Sequence, residues 1–209
     1  MVRVMPGNLW SKGIVRVALM GILFVLTSTM STTSLADEEV DSKVGPPGTL
    51  EFVGKNMIMK AKGTFHDWRI IESAVDMAAL GDAFIVVEVD LASVDTGIEG
   101  RDDHLRNPDF FETETYPVAR VRIHSAKPAP AKEEDEGGDE QRFAAQFDID
   151  LHGVQKTIEG EIVILTTDPL VFEGNILIDR MEFGVGPKWN WWSPVTPREK
   201  IPVSFHVEL

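Results

Sequence analysis

The side chains able to do chemistry are sparse in this chain and poorly spaced for it. The five histidines, His66, His104, His124, His152 and His206, never recur as His-x-x-x-His or His-x-His. No single element would therefore offer two imidazoles to one metal ion, and no metal site is expected. There is no cysteine, which removes thiolate ligands, thiol nucleophiles and disulfides. No Gly-x-Ser-x-Gly elbow raises a serine nucleophile. No Gly-x-Gly-x-x-Gly or Gly-x-x-x-x-Gly-Lys-Ser/Thr loop cradles a phosphate. Carboxylates are abundant only because the chain is acidic, so paired ones carry no information. No catalytic residue is expected.

Two denser constellations remain. In the first, Ser93-Val94-Asp95-Thr96-Gly97 precedes Arg101-Asp102-Asp103-His104-Leu105 and Asn107-Pro108-Asp109-Phe110-Phe111. Arg101, Asp102 and His104 share about one helical turn beside two phenylalanines. The structural reading is a crossover helix over Gly100–Phe111, broken near Pro108, whose charges cap and brace it. The functional reading is a polar rim over an apolar mouth, with Arg101 or His104 meeting a ligand head group. In the second, Trp189, Trp191 and Trp192 crowd a loop between glycines and prolines, Phe183–Pro194. Such a loop either plugs one end of the fold or forms an aromatic, membrane-touching tip.

The elements that position these residues read as strands. In Ala83–Leu91, Ile85, Val87, Val89 and Leu91 fall on one face, while Glu88 and Asp90 fall on the other. The same period of two runs through Phe143–Leu151, Leu170–Ile178 and Ile201–Leu209. Weaker candidates are Thr49–Gly54, Asn56–Gly63, Thr64–Ile71, Val118–His124 and Ile158–Leu165. Alternation means one dry and one wet face, the habit of antiparallel sheets. So many strands remove their open edges by closing into a barrel or splitting into a sandwich. Period alone leaves that choice open, and a barrel of about eight strands can enclose one small ligand.

Composition sets the remaining bounds. With 43% hydrophobic residues, 209 residues suffice for one packed domain. A net charge of −14 repels phosphate backbones and argues against a nucleic-acid partner. Arg3, Lys12 and Arg16 open the chain, and Val17–Leu26 is an apolar run of about ten residues, short of the roughly 20 a membrane span needs. Ser34-Leu35-Ala36 then offers small residues for cleavage before Asp37. The expectation is a signal peptide over 1–36, a flexible lead-in over 37–48 and one barrel domain over 49–209. An acidic loop insert over 127–142 reads as a solvated hairpin connection. The mature protein is then periplasmic or extracellular, and the alternative is an uncleaved anchor.

The residues of the first constellation, with Tyr116-Pro117 and a strand ending at Ser125, resemble the YceI-like family. Asp150-Leu151-His152-Gly153-Val154-Gln155-Lys156 is similar to its strand–turn. Glu182-Phe183-Gly184-Val185-Gly186 and Ile201–Leu209 are similar to its final hairpin. The likeness spans about Thr49 to Leu209. Lys55-Asn56 stands where a histidine is common, and the acidic insert and Trp-rich loop are atypical.

The resemblance implies an antiparallel lipocalin-like β-barrel that holds polyisoprenoid chains, such as isoprenoid quinones, without catalysis. The expected partner is a long isoprenoid or fatty-acyl-type lipid. Arg101, His104 and Lys156 are the expected head-group contacts. Phe65, Phe110, Phe111, Phe147, Phe172 and Phe183 are the expected chain contacts. A peripheral membrane contact and a homodimer are compatible with this reading. Two alternatives stand beside it: a filled barrel that binds a partner or membrane through its loops, and an enzyme acting on bound lipid through His104 with Asp102 or Asp103.

Overall fold

The computed structural model describes residues 45–129, 141–188 and 195–209. Ten β-segments run in chain order: β1 (Gly48–Lys55), β2 (Lys60–Phe65), β3 (Trp68–Ala74), β4 (Phe84–Asp90), β5 (Val94–Asp95), β6 (Val118–Pro128), β7 (Gln141–Leu151), β8 (Val154–Thr167), β9 (Leu170–Asp179) and β10 (Lys200–Glu208). One helix, α1 (Glu99–Arg106), lies on the β5–β6 crossover. Each stated pairing is antiparallel, in the order β3-β4-β6-β7-β8-β9-β10-β1-β2-β5.

This linear strand order closes into a ring. His66 and Asp67 alone separate β2 from β3, and a short 3-10 turn, Leu91–Ser93, separates β4 from β5. Trp68 pairs with Val89, and Phe65 pairs with Val94, so one bent strand follows the other around the corner. Counted as continuous bent strands, β2–β3 and β4–β5 reduce ten segments to eight. The sheet curls back on itself as a lipocalin-like barrel. The strand expected over Thr64–Ile71 is broken at this bend, and the one expected from Asn56 starts at Lys60, after a turn.

Local sequence explains the corners. β7 and β8 pair out to Leu151 and Val154, leaving a two-residue loop in which His152 and Gly153 have φ of 54° and 72°. Positive φ at both central residues is the turn whose twist suits an antiparallel hairpin. After β9, Arg180–Phe183 forms a 3-10 turn begun by the Asp179 side chain and stopped by Gly184 at φ 70°. Glu182–Gly186 therefore contributes no strand, and the final hairpin pairs β10 with β9.

Alternation sorts the faces as expected. Phe143, Ala145, Phe147, Ile149 and Leu151 are all buried. The outward Glu88 on β4 is also buried, at 8% exposure, because its cross-strand neighbours cover it. Arg69 Nη2 donates to its Oε1 at 2.5 Å, and Arg120 donates from Nε and Nη2 to its Oε2 at 2.9 and 2.7 Å. The Arg120 hydrogen bonds, followed by the charge of Arg69, hold the carboxyl below its ordinary 4.5 despite opposing desolvation. Because the folded pKa is depressed, the resulting stability is fully present above pH 4.5 and is lost as pH falls through the folded value. Glu88→Gln is expected to flatten the acid limb of a stability-versus-pH curve. An unchanged acid limb in denaturant titrations from pH 7 to 3 would count against this account.

Candidate functional site

The inward faces do not meet in a solid core. They surround a partly open cavity of about 210 Å³. Leu50 and Phe52 reach it from β1, Phe65 and Trp68 from the bent strand, and Val87 and Val89 from β4. Val121 and Ile123 reach it from β6, Ile149 from β7, Ile176 and Ile178 from β9, and Val203 and Phe205 from β10. Leu105 of α1, with Phe110 and Phe111 just after it, closes one end together with Val185 and Pro197.

The other end is partitioned by rings. Phe205 lies 5.8 Å from Phe147 and 6.1 Å from Phe172, centroid to centroid. Beyond them a smaller cavity of about 40 Å³ is lined by Phe172, Leu80, Leu170 and Ile162, and Ile123 lines both spaces. Glycine makes the partition fit. A Cβ at Gly174, opposite Phe205, would meet its ring at 2.4 Å, and a Cβ at Gly160 would meet Phe147 at 2.7 Å. Phe52 covers Gly63 in the same way. These are aromatic rings laid over cross-strand glycines.

Two polar side chains reach this apolar wall. Arg180 is 4% exposed and its guanidinium is spent on the backbone. Nε donates to the Arg198 carbonyl at 3.1 Å, and Nη1 to Val185 O at 2.6 Å. Nη2 donates to Pro187 O at 2.7 Å and Pro197 O at 2.8 Å. Nη1 also meets the Met181 sulfur at 3.1 Å. Burial lowers its pKa, and the charges of Glu199 and Asp179 oppose that. Arg180 thus ties together the two flanks of the Trp-rich segment. Trp68 is 3% exposed, and its indole Nε1 is buried with no hydrogen-bond partner. An orphaned donor of this kind costs roughly 1–3 kcal/mol.

The expected chain contacts divide. Phe65, Phe110, Phe111 and Phe147 line the large cavity, whereas Phe172 lines the small one. Phe183 is wholly buried in the core and lines neither. None of the three expected head-group residues is at the cavity wall. Arg101 donates to Thr96 Oγ1 and Thr96 O, both at 2.7 Å, and so braces the turn before α1. His104 sets its ring edge-on to Phe110 at 5.0 Å. Lys156 is half exposed on β8, 3.9 Å from Glu182. The carboxylates proposed to work with His104 are engaged locally: Asp102 accepts from Thr96 N and Oγ1, and Asp103 from Arg106. Trp189–Pro194 and the interior of the acidic insert lie outside the described residues.

Sequence reasoning passed over Arg180 and Trp68. Each sits within or just after an apolar strand, flanked by aspartate, as Asp179-Arg180 and Asp67-Trp68. A lone arginine at the close of an apolar strand was the available signal.

Fold and cavity together define a small antiparallel barrel with a partly open apolar interior. A family model of the YceI-like domain matches residues 38–209, and the chain belongs to that family. Three solved structures share the fold. One is Burkholderia cenocepacia BcnA, with 21% identity, TM-score 0.65, and coverage of 78% of this chain and 96% of that one. Another is a polyisoprenoid binding domain from Saccharophagus degradans, implicated in plant cell wall breakdown, with 23% identity, TM-score 0.55, and coverage of 77% and 92%. A third is the Campylobacter jejuni YceI protein, with 23% identity, TM-score 0.54, and coverage of 73% and 85%. No curated protein sequence matches the chain.

Proposed function

We propose that this protein is an exported, non-catalytic carrier that holds an isoprenoid or fatty-acyl-type chain inside its barrel. The observation that carries the reading is the partly open apolar cavity of about 210 Å³ inside the barrel. Burying each methylene there gains about 0.8 kcal/mol. The polyisoprenoid binding domain of Saccharophagus degradans, with the same fold, supports the same ligand class. Export rests on the basic start, apolar run and Ser34-Leu35-Ala36 pattern.

Two features refine the ligand. The cavity is smaller than the roughly 300–1,000 Å³ usual for ligand pockets. A long chain therefore swings the Phe205 ring aside and runs on into the space lined by Phe172. The cavity surface is wholly apolar, with the unpartnered Trp68 N–H sealed behind it, which favours a ligand whose buried part is plain hydrocarbon and whose polar group stays at the mouth. Native mass spectrometry of protein purified from its host tests the reading. A lipid-mass adduct is expected, along with uptake of a prenyl quinone from detergent. Protein that arrives empty, and takes nothing from a panel of prenyl lipids and fatty acids, would overturn it.

A further inference from the structure

The β1–β2 hairpin ends in an apolar tip that the carrier reading leaves unused. Met57, Ile58 and Met59 are 59%, 68% and 54% exposed, and Val195 beside them is 65% exposed. The tip is held in place. Asn56 Oδ1 accepts from the Ile58 and Met59 amides at 2.8 Å each, and Asn56 Nδ2 donates to Val195 O at 3.2 Å. Arg198 N also donates to Lys55 O at 2.7 Å, which fastens the hairpin to the segment leading into β10. Large apolar side chains are thus pointed into solvent by a hydrogen-bonded turn.

The charge around this tip opposes that of the chain. The protein carries −14 overall, yet residues 55–62 contain Lys55, Lys60 and Lys62 and no acid. Lys55 pairs with Lys60 across the hairpin. Phe52 and Gly54 line the cavity, so Lys55 faces outward, and all three lysines are exposed. None is in an ion pair among the described residues. The opposite end of the barrel exposes Asp76, Asp82 and Asp168 at its β3–β4 and β8–β9 connections. The lysine-ringed apolar tip lies at the end where Gly54 and Pro197 line the cavity; the same end exposes Glu99 and Asp103 of α1 and Glu182, so the positive charge is local to the tip.

We infer that the β1–β2 tip is a docking surface for an anionic lipid bilayer: Met57, Ile58 and Met59 enter the interface while Lys55, Lys60 and Lys62 meet the head groups. Apolar wedge and basic flank are the two components that interfacial binding combines. A second copy fits less well, because a two-fold contact would set lysines against lysines. The inference does not depend on what fills the barrel.

The absence of cysteine makes the test clean. The full chain carrying Ile58→Cys, labelled with an environment-sensitive fluorophore, is mixed with vesicles of phosphatidylcholine alone or with phosphatidylglycerol. A second chain carries the label at Asp82→Cys, at the opposite end. The expected result is a blue shift at position 58 with anionic vesicles only, lost at high salt, and none at position 82. Lys55→Gln/Lys60→Gln/Lys62→Gln is expected to weaken partitioning about 100-fold, from roughly fivefold per lysine near an anionic surface. No shift at 58, equal shifts at 58 and 82, or equal shifts with both vesicle types would overturn the inference. So would a shift that grows with protein concentration without vesicles, which would mean that a second copy covers the tip.

Discussion

Replacing Arg180 by methionine is expected to lower the unfolding free energy by about 3 kcal/mol, read as a shifted denaturant midpoint at unchanged slope. The guanidinium donates to the carbonyls of Val185, Pro187, Pro197 and Arg198 from a site only 4% exposed. Hydrogen bonds from a charged donor contribute roughly 1.5–3 kcal/mol each. Burying an arginine without a carboxylate in direct contact costs several kcal/mol, and methionine removes that cost. The four bonds outweigh it, because the carbonyls left behind are converged on one point that methionine cannot satisfy. Lysine should not rescue the loss: its ammonium has three donors and no planar fork. A midpoint for Arg180→Met within error of the parent would refute the clamp.

Filling the cavity separates carriage from folding. Val121→Phe places a ring in the 210 Å³ space from the inward face of β6. In a close-packed core, added volume costs 1–3 kcal/mol through strain. Here the ring enters empty space, so stability is expected to change by less than about 1 kcal/mol. Uptake of a prenyl quinone, scored by native mass spectrometry, is expected to fall at least 100-fold, since the ring and the chain need the same volume. Undiminished uptake with an intact fold would place the ligand elsewhere. A collapsed fold would mean that the cavity is tighter than its volume indicates.

Part of this was legible in the linear chain. The alternation in Phe143–Leu151 assigned every inward residue of β7 correctly, because side-chain direction in a strand follows from the pleat alone. The Arg-Asp-x-His-Leu and Asp-Phe-Phe run pointed to the family, and the family model matches residues 38–209. The strand–turn at His152-Gly153 came from the family resemblance, and both residues take the positive φ of a two-residue hairpin.

What the chain alone left undecided was where each side chain stands relative to the others around the ring. Arg101 and His104 share a turn beside two phenylalanines, yet Arg101 turns back to Thr96 and His104 to the edge of Phe110. Arg180, alone after an apolar strand, reaches the cavity wall because carbonyls from 185–187 and 197–198 converge on it. Closure at the His66-Asp67 bend, and the partition where Phe205 covers Gly174, likewise depend on register between strands far apart in sequence. A strand's period is a local property of the backbone, so sequence determines which face is dry. Which dry faces meet, and what space they leave between them, is decided only when the sheet closes.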